Sequence, residues 1–357
     1  MMGAGESWRE PDRRFVVSGP ASPRDLRDLM GRPFFGLGKT PRVIPIEYET
    51  RYAGVSVSAP GGAGIATIWD ADVLIWLTGQ IVDALNHGLW VSRHVRFTPW
   101  RLFRDLGWAT GANEYRRLHG ALGRLAVTTV ATSIRHGADW RNKPFTWISG
   151  LRVTQDEGVA LTLPDWLMEA ACDRSRVLTL DPAYFRLGGG LERWLYRLAR
   201  RHAGRQKDGW RFDLADLHAR SGSLTRRRDF AAKIRAITLA RTVPGYTFRV
   251  ISGGKLGVLC AAPTSQSTEA VDNDVKPVVG PAAHNIIGPL AESSSDRWRK
   301  SAQPFVFEDE IDLLTYITYI ITYYVGDFGL FALHSATPVR REKEAREAVA
   351  DRRAGVP

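Results

Sequence analysis

The hydrophobic pattern along the chain predicts a series of short helices and strands between turn-rich connections. Residues 66–81 (ATIWDADVLIWLTGQI) carry a helical repeat: Val73, Trp76, Leu77, Ile81 and Leu85 share one apolar face, and Gly88 ends it. Asp70 or Asp72 is placed to cap it, since a short carboxylate satisfies free N–H groups and suits the helix dipole. A short helix from Thr98 to Leu106 follows, then a turn around Gly107 and Gly111, then a second helix from Asn113 to Ala126. In that second helix Tyr115, Leu118, Leu122 and Leu125 face one way while Arg116, Arg117 and Arg124 point elsewhere. The β-branched alternation of VTTVATSI (127–134) predicts a strand. A polar loop carrying Arg135, Arg141 and Lys143 comes next, and FTWISGLRV returns as a second strand. Helix, turn, basic helix and two-stranded basic wing describe a winged helix-turn-helix.

The same order recurs about 115 positions later. Phe97, Leu102, Gly107 and Tyr115 have counterparts at Phe212, Leu217, Gly222 and Phe230. In the second copy Phe230, Ile234 and Ile237 face inward, and Arg226, Arg227, Arg228, Lys233 and Arg235 are candidates for the outer face. A hairpin over 246–260 then turns at Gly253–Gly254, flanked by Arg249 and Lys255. Between the copies, LERWLYRLARRHAG reads as an amphipathic helix with Trp194, Leu195 and Leu198 inward and Arg193, Arg197, Arg200 and Arg201 on its wet side. Trp100, Trp108, Trp194 and Phe230 are assigned to the core.

The expected class is therefore α+β: two tandem winged helix-turn-helix domains with a poorly defined C-terminal extension. A flexible arm spans 1–24, the two domains 25–155 and 156–260, and a linker with an extension of unknown role 261–357.

Charge sharpens this picture. The chain of 357 residues carries a net +11. Residues 261–357 hold 10 Lys+Arg against 14 Asp+Glu, so the excess lies on residues 1–260, and 193–241 alone hold 14 basic against 4 acidic residues. Such concentration fits a polyanion partner. Two cysteines 88 positions apart form no CxxC-type zinc site, and eight histidines occur without HxH, HxxxH or HExxH spacing. GLGKT fails as a phosphate loop, because the first glycine of that motif would fall at Pro33. With no apolar leader and no apolar run of membrane-spanning length, a soluble, cytoplasmic chain is expected. An enzyme is not expected: the close acidic groups are Asp70/Asp72, read as caps, and Glu308–Asp309–Glu310, outside the basic region.

DLMGRPFFGLGKTPRVIPIEYE, ATIWDADVLIW, LAVTTVATSIR, GGGLERWLYRLARRHAG and PGYTF, in order from about Asp25 to Cys260, resemble the replication initiator protein A family of bacterial plasmids. The resemblance implies an initiator that binds repeated double-stranded sites at a plasmid origin and recruits host replication proteins. By similarity to related initiators it also implies repression of its own gene as a homodimer. The residues alone leave one alternative, a winged-helix transcription regulator without a replication role. Neither needs a catalytic residue, a metal or a cofactor, and no membrane contact is expected. The DNA-binding candidates are Arg116, Arg117, Arg124, Arg141 and Lys143 in the first unit. In the second they are Arg226, Arg227, Arg228, Lys233, Arg235, Arg249 and Lys255.

Overall fold

The structure, a computed structural model, describes residues 14–264 apart from 18, 155–157, 205, 207 and 254–256. The chain opens with β1 (Phe15–Val16), β2 (Arg24–Leu26), β3 (Ile46–Thr50) and β4 (Ala53–Ser58), then α1 (Ala71–Asn86), β5 (His94–Phe97), α2 (Pro99–Leu106) and α3 (Ala112–Val127). Next come β6 (Thr129–Thr132), a 3-10 turn over Gly137–Asn142, β7 (Phe145–Thr146), β8 (Ser149–Thr154), β9 (Gly158–Thr162), α4 (Asp165–Cys172) and β10 (Val177–Thr179). It closes with α5 (Gly190–His202), β11 (Trp210–Asp213), α6 (Leu214–Ser221), α7 (Arg227–Ala240), β12 (Tyr246–Ile251) and β13 (Val258–Pro263).

Two stretches share one plan. In the first, α1, β5, α2, α3, β8 and β9 follow one another, and the strands lie side by side as β5-β9-β8. In the second, α5, β11, α6, α7, β12 and β13 follow in the same sense, with the strands as β11-β13-β12. The turns between the helices match as well. Pro99 opens α2, where its missing N–H is harmless, and Asp213 caps α6 by accepting from the Ala215 N–H at 2.7 Å. Gly107 (φ 67°) and Gly222 (φ 65°) end α2 and α6 in the left-handed region, which a glycine enters without strain.

The first stretch differs by an insertion. The β-branched strand β6 pairs back onto the returning segment only at β7, with Thr129 opposite Thr146 and Val130 opposite Phe145, and does not join β5 as a wing. It is held between β4 and β7 in a separate sheet ordered β3-β4-β6-β7, with Val57 opposite Val130. The hairpin that joins β5 is β8–β9 instead. Arg141 and Lys143 therefore sit at the 3-10 turn of the inserted sheet and not on the first unit's hairpin. Local alternation was a sound guide to the strand and to its pairing with the start of FTWISGLRV at Phe145–Thr146, but not to its second partner β4, which lies far upstream in sequence.

The expected limits also move. Phe15–Val16 pair in parallel with Val95–Arg96, so residues after 14 belong to the fold and not to a free arm. The 155/156 boundary falls inside the β8–β9 hairpin, and β13 continues beyond Cys260 to Pro263. The apolar block after 303 and the rest of the C-terminal extension lie outside the described residues.

Helix α1 is buried nearly all round, not on one face, as suits an element at the centre of a core. Phe34 meets Trp147 edge-on at 5.9 Å between ring centres, and Phe145 stacks on Trp166 at 5.2 Å. The apolar cluster runs without a break from these rings to Phe212, Leu217 and Phe230 of the second stretch.

Candidate nucleic-acid interface

The candidate cations fall into two groups according to what their guanidinium and ammonium groups touch. In α3, the fork of Arg124 donates to both oxygens of Asp70 at 2.8 Å and is largely buried. Asp70 also accepts from the Thr67 N–H at 2.7 Å, so it holds α3 to the entry of α1 and does not act as a side-chain cap within α1. Arg117 stacks over the Trp108 ring at 3.5 Å and stands 3.9 Å from Asp72. Arg116 is exposed and donates to the Asn113 side chain. Arg141 donates to Glu49 of β3 at 2.6 Å, and Lys143 is exposed beside it.

Asp72 is likewise no cap. It is fully buried and accepts from Arg193 of α5 at 2.7 Å. Burial pushes its carboxyl up to about 7, against the opposing pull of Arg193 and Arg117. Arg193 spends its other donors on the Leu187 and Phe185 carbonyls at 2.8 and 2.9 Å. Arg197, one turn later, donates to Asp25 at 2.6 Å; burial drives that carboxyl upward while Arg197 holds it down. Both arginines are only 2% exposed. They form the seam between the two stretches rather than the wet side that an amphipathic reading of α5 assigns them. Their partners lie 121 and 172 positions away, beyond the reach of any local pattern.

In α7 the picture reverses. Phe230, Ala231 and Ile234 are buried under the helix, and Arg226, Arg227, Arg228, Lys233 and Arg235 are all exposed. Arg226 is the residue at the helix start, and Arg227, Arg228 and Asp229 follow in its first turn. Among the described residues, no carboxylate stands in ion-pair contact with Arg226, Arg227, Arg228 or Lys233. Cations at a helix N-terminus oppose the dipole at about 0.3–1 kcal/mol each, and in the first turn of α7 Asp229 offsets only part of that charge. Arg249 is exposed on β12, where Thr247 and Ile251 share its outer face, and Lys255 lies outside the described residues.

Several cations escaped the sequence argument. Arg152 is exposed on β8, the first strand of the β8–β9 pair, and Arg211 is exposed on β11. Trp100, assigned to the core, is 37% exposed with Arg104 stacked over it at 4.7 Å. Trp108 is half-buried, while Trp194 and Phe230 do lie in the core. Among the described residues no helix is long and apolar enough to cross a membrane.

An α+β chain that buries part of its charge as structural ion pairs and exposes the rest along one basic helix has the makings of a protein that handles polyanions. Residues 24–248 match the model of the family described as Replication initiator protein A, and the chain belongs to that family. It is a replication initiator, of the plasmid type. A relative from Wigglesworthia glossinidia brevipalpis, named "Putative replication protein", is 25% identical over 230 residues, covering 62% of this chain and 82% of that one. Among solved structures, domains 2-3 of RctB align with a TM-score of 0.44 at 11% identity, over 65% of this chain and 95% of that one. A selenomethionine derivative of the same two domains aligns at 0.44 and 12%, over 64% and 94%.

Proposed function

We propose that the two matching stretches are tandem winged helix-turn-helix modules that bind repeated double-stranded sites at a plasmid origin, with α7 as the principal reading helix. The order α-β-α-α-β-β with strands side by side as first-third-second supports the module assignment in both stretches. The observation that carries the DNA reading is the start of α7: Arg226, Arg227 and Arg228 are exposed and, among the described residues, none is in ion-pair contact with a carboxylate, on the second helix of a helix–turn–helix. In that arrangement the helix enters the major groove N-terminus first, and an arginine there offers two donors to guanine O6 and N7. Lys233, Arg235 and Arg249 then follow the flanking phosphates, which fix register.

The first module contributes less. Arg116 and Arg117 remain candidates from α3, whereas Arg124 acts as a tie to Asp70. Arg141 and Lys143 contact DNA only where the inserted sheet meets the backbone. Recruitment of host replication proteins, and self-repression as a homodimer, complete the role that family membership suggests.

The test is fluorescence anisotropy of the full chain against DNA flanking its own gene and a scrambled duplex at two salt concentrations. A preference of about a thousandfold for the flanking DNA supports a specific reader. Equal, steeply salt-dependent binding to both sinks it.

A further inference from the structure

Arginines in this protein are compensated in two different ways. Arg124, Arg135, Arg193 and Arg197 each face a carboxylate, at 2.8, 3.0, 2.7 and 2.6 Å. Those gathered where the end of α5 meets β10 do not. Arg27 donates to the Ser175 carbonyl at 3.1 Å, Arg200 to the Thr179 carbonyl at 2.9 Å, and Arg201 to the Arg27 and Met30 carbonyls. Carbonyl oxygens fix the orientation of a guanidinium but carry no formal charge to offset it. These groups, with Arg174, His202 and Gln206, line a cavity of about 460 Å³, and no acidic side chain lines it among the described residues. That volume lies in the range of small-ligand sites, roughly 300–1,000 Å³.

The surroundings deepen the imbalance. Arg220 donates to His202 Nε2 at 3.3 Å, which makes that nitrogen an acceptor and the imidazole neutral. Burial and the charges of Arg201, Arg220, Arg32 and Arg27 push His202 down to about 3, and burial with its arginine neighbours lowers Arg201 to about 10. The carboxylate that bears on Arg201, Asp28, is already paired with Arg135 at 3.0 Å and stands 3.5 Å from Arg176.

We propose that the cavity between the end of α5 and the Arg174–Leu178 segment binds a phosphate group, with Arg27, Arg174, Arg200 and Arg201 as its donors. Guanidinium pairs two N–H donors with two phosphate oxygens, and a dianion supplies the charge that the lining lacks. The phosphate is carried either by a free phosphorylated small molecule or by a DNA backbone. The site lies apart from the α7 surface and does not depend on it.

The probe is sodium pyrophosphate, titrated calorimetrically into the full chain at fixed ionic strength. The expected result is saturable binding at one site, weakened at least tenfold by R174Q and by R201Q. Arg174 is exposed, so R174Q keeps the test valid if R201Q fails to fold. In a parallel NMR titration the His202 imidazole should rise by a pH unit or more on saturation, because the anion offsets the arginines around it. Non-saturating heats, or binding that neither variant changes, overturn the site. Exclusion of pyrophosphate by saturating duplex, with duplex binding also weakened in R174Q, assigns the phosphate to DNA. Unchanged binding to the chain–duplex complex assigns it to a free small molecule. R226A/R227A/R228A should bind pyrophosphate normally, which separates this site from the α7 reading.

Discussion

Helices α3 and α7 occupy the same place in two stretches of the same plan, and their sequences both read as basic recognition helices. Their cations nevertheless do different work. In α3, Arg124 is tied to Asp70 and Arg117 is stacked on Trp108 beside Asp72. In α7, the arginines of the first turn face solvent with no carboxylate in contact among the described residues. The cause lies outside both helices: the carboxylates at the start of α1 reach α3, whereas among the described residues none is in ion-pair contact with Arg226, Arg227 or Arg228 of α7. A basic residue count is thus no measure of basic surface until the internal partners are known.

Breaking α7 should have the largest effect. Arg226, Arg227 and Arg228 together replaced by Ala should weaken duplex binding by about 3–9 kcal/mol, at about 1–3 kcal/mol per base-contacting arginine. The slope of log affinity against log salt should flatten by roughly 0.9 for each of the three that also neutralises a phosphate. Unchanged affinity would remove the helix from the interface, and with it the contrast. The matched change in α3, Arg124→Ala, should leave duplex binding nearly unaltered. It should instead cost about 1.5–3 kcal/mol of stability in denaturant, the usual worth of a hydrogen bond to a charged group.

The seam between the two stretches should respond more strongly than α3 and only in stability. Arg193→Ala leaves Asp72 buried without its partner, and breaking a buried pair from one side costs about 3–5 kcal/mol. Arg193→Met with Asp72→Asn should recover much of that loss, since the uncompensated charge is then gone. If the single variant unfolds at the same denaturant concentration as the parent, the seam is not held by this pair.

How much of this was legible in the sequence follows from the range of each interaction. The helical repeats of α3 and α7, the left-handed glycines and the offset of about 115 between the stretches are local features, and the structure has elements at those positions. The burial of Arg193 and Arg197 is not local. On α5 they follow the spacing of a solvated face, and only Asp72 and Asp25, brought from far away, turn that face inward. The first hairpin was misplaced for the same reason. β6 has ideal strand alternation, yet besides the short β7 it pairs with β4, more than 70 positions upstream, while the hairpin β8–β9 that joins β5 reads less regularly because of a register shift between Ser149 and Arg152.

The pH dependence is a smaller effect, and its sign is set by His202. Its imidazole is held at about 3 in the folded chain, well below the ordinary 6.5. The unfolded chain therefore takes up a proton that the folded chain refuses. The stability this gives is fully present above about 6.5 and is lost as pH falls toward 3. Asp72, raised to about 7, acts in the opposite direction across part of that window, so total stability is a poor readout. The difference in unfolding free energy between the parent and His202→Asn isolates the imidazole. It should shrink steadily from pH 7 to pH 4, and a difference independent of pH would mean that the arginines around His202 do not set its charge.

The smallest effect expected belongs to the inserted sheet. Arg141 is more than half exposed and pairs with an equally open Glu49, an arrangement worth about 0–1 kcal/mol. Arg141→Ala and Lys143→Ala should each shift stability by no more than about 0.5 kcal/mol. For DNA, the outcome depends on which hairpin flanks the reading helix. If β8–β9 is the wing, these two substitutions should change duplex affinity less than threefold, and Arg152→Ala on β8 should weaken it more. The reverse ranking would mean that the inserted β3-β4-β6-β7 sheet meets the DNA backbone. The two stretches would then differ not only in how their arginines are compensated but in which part of each one touches the duplex.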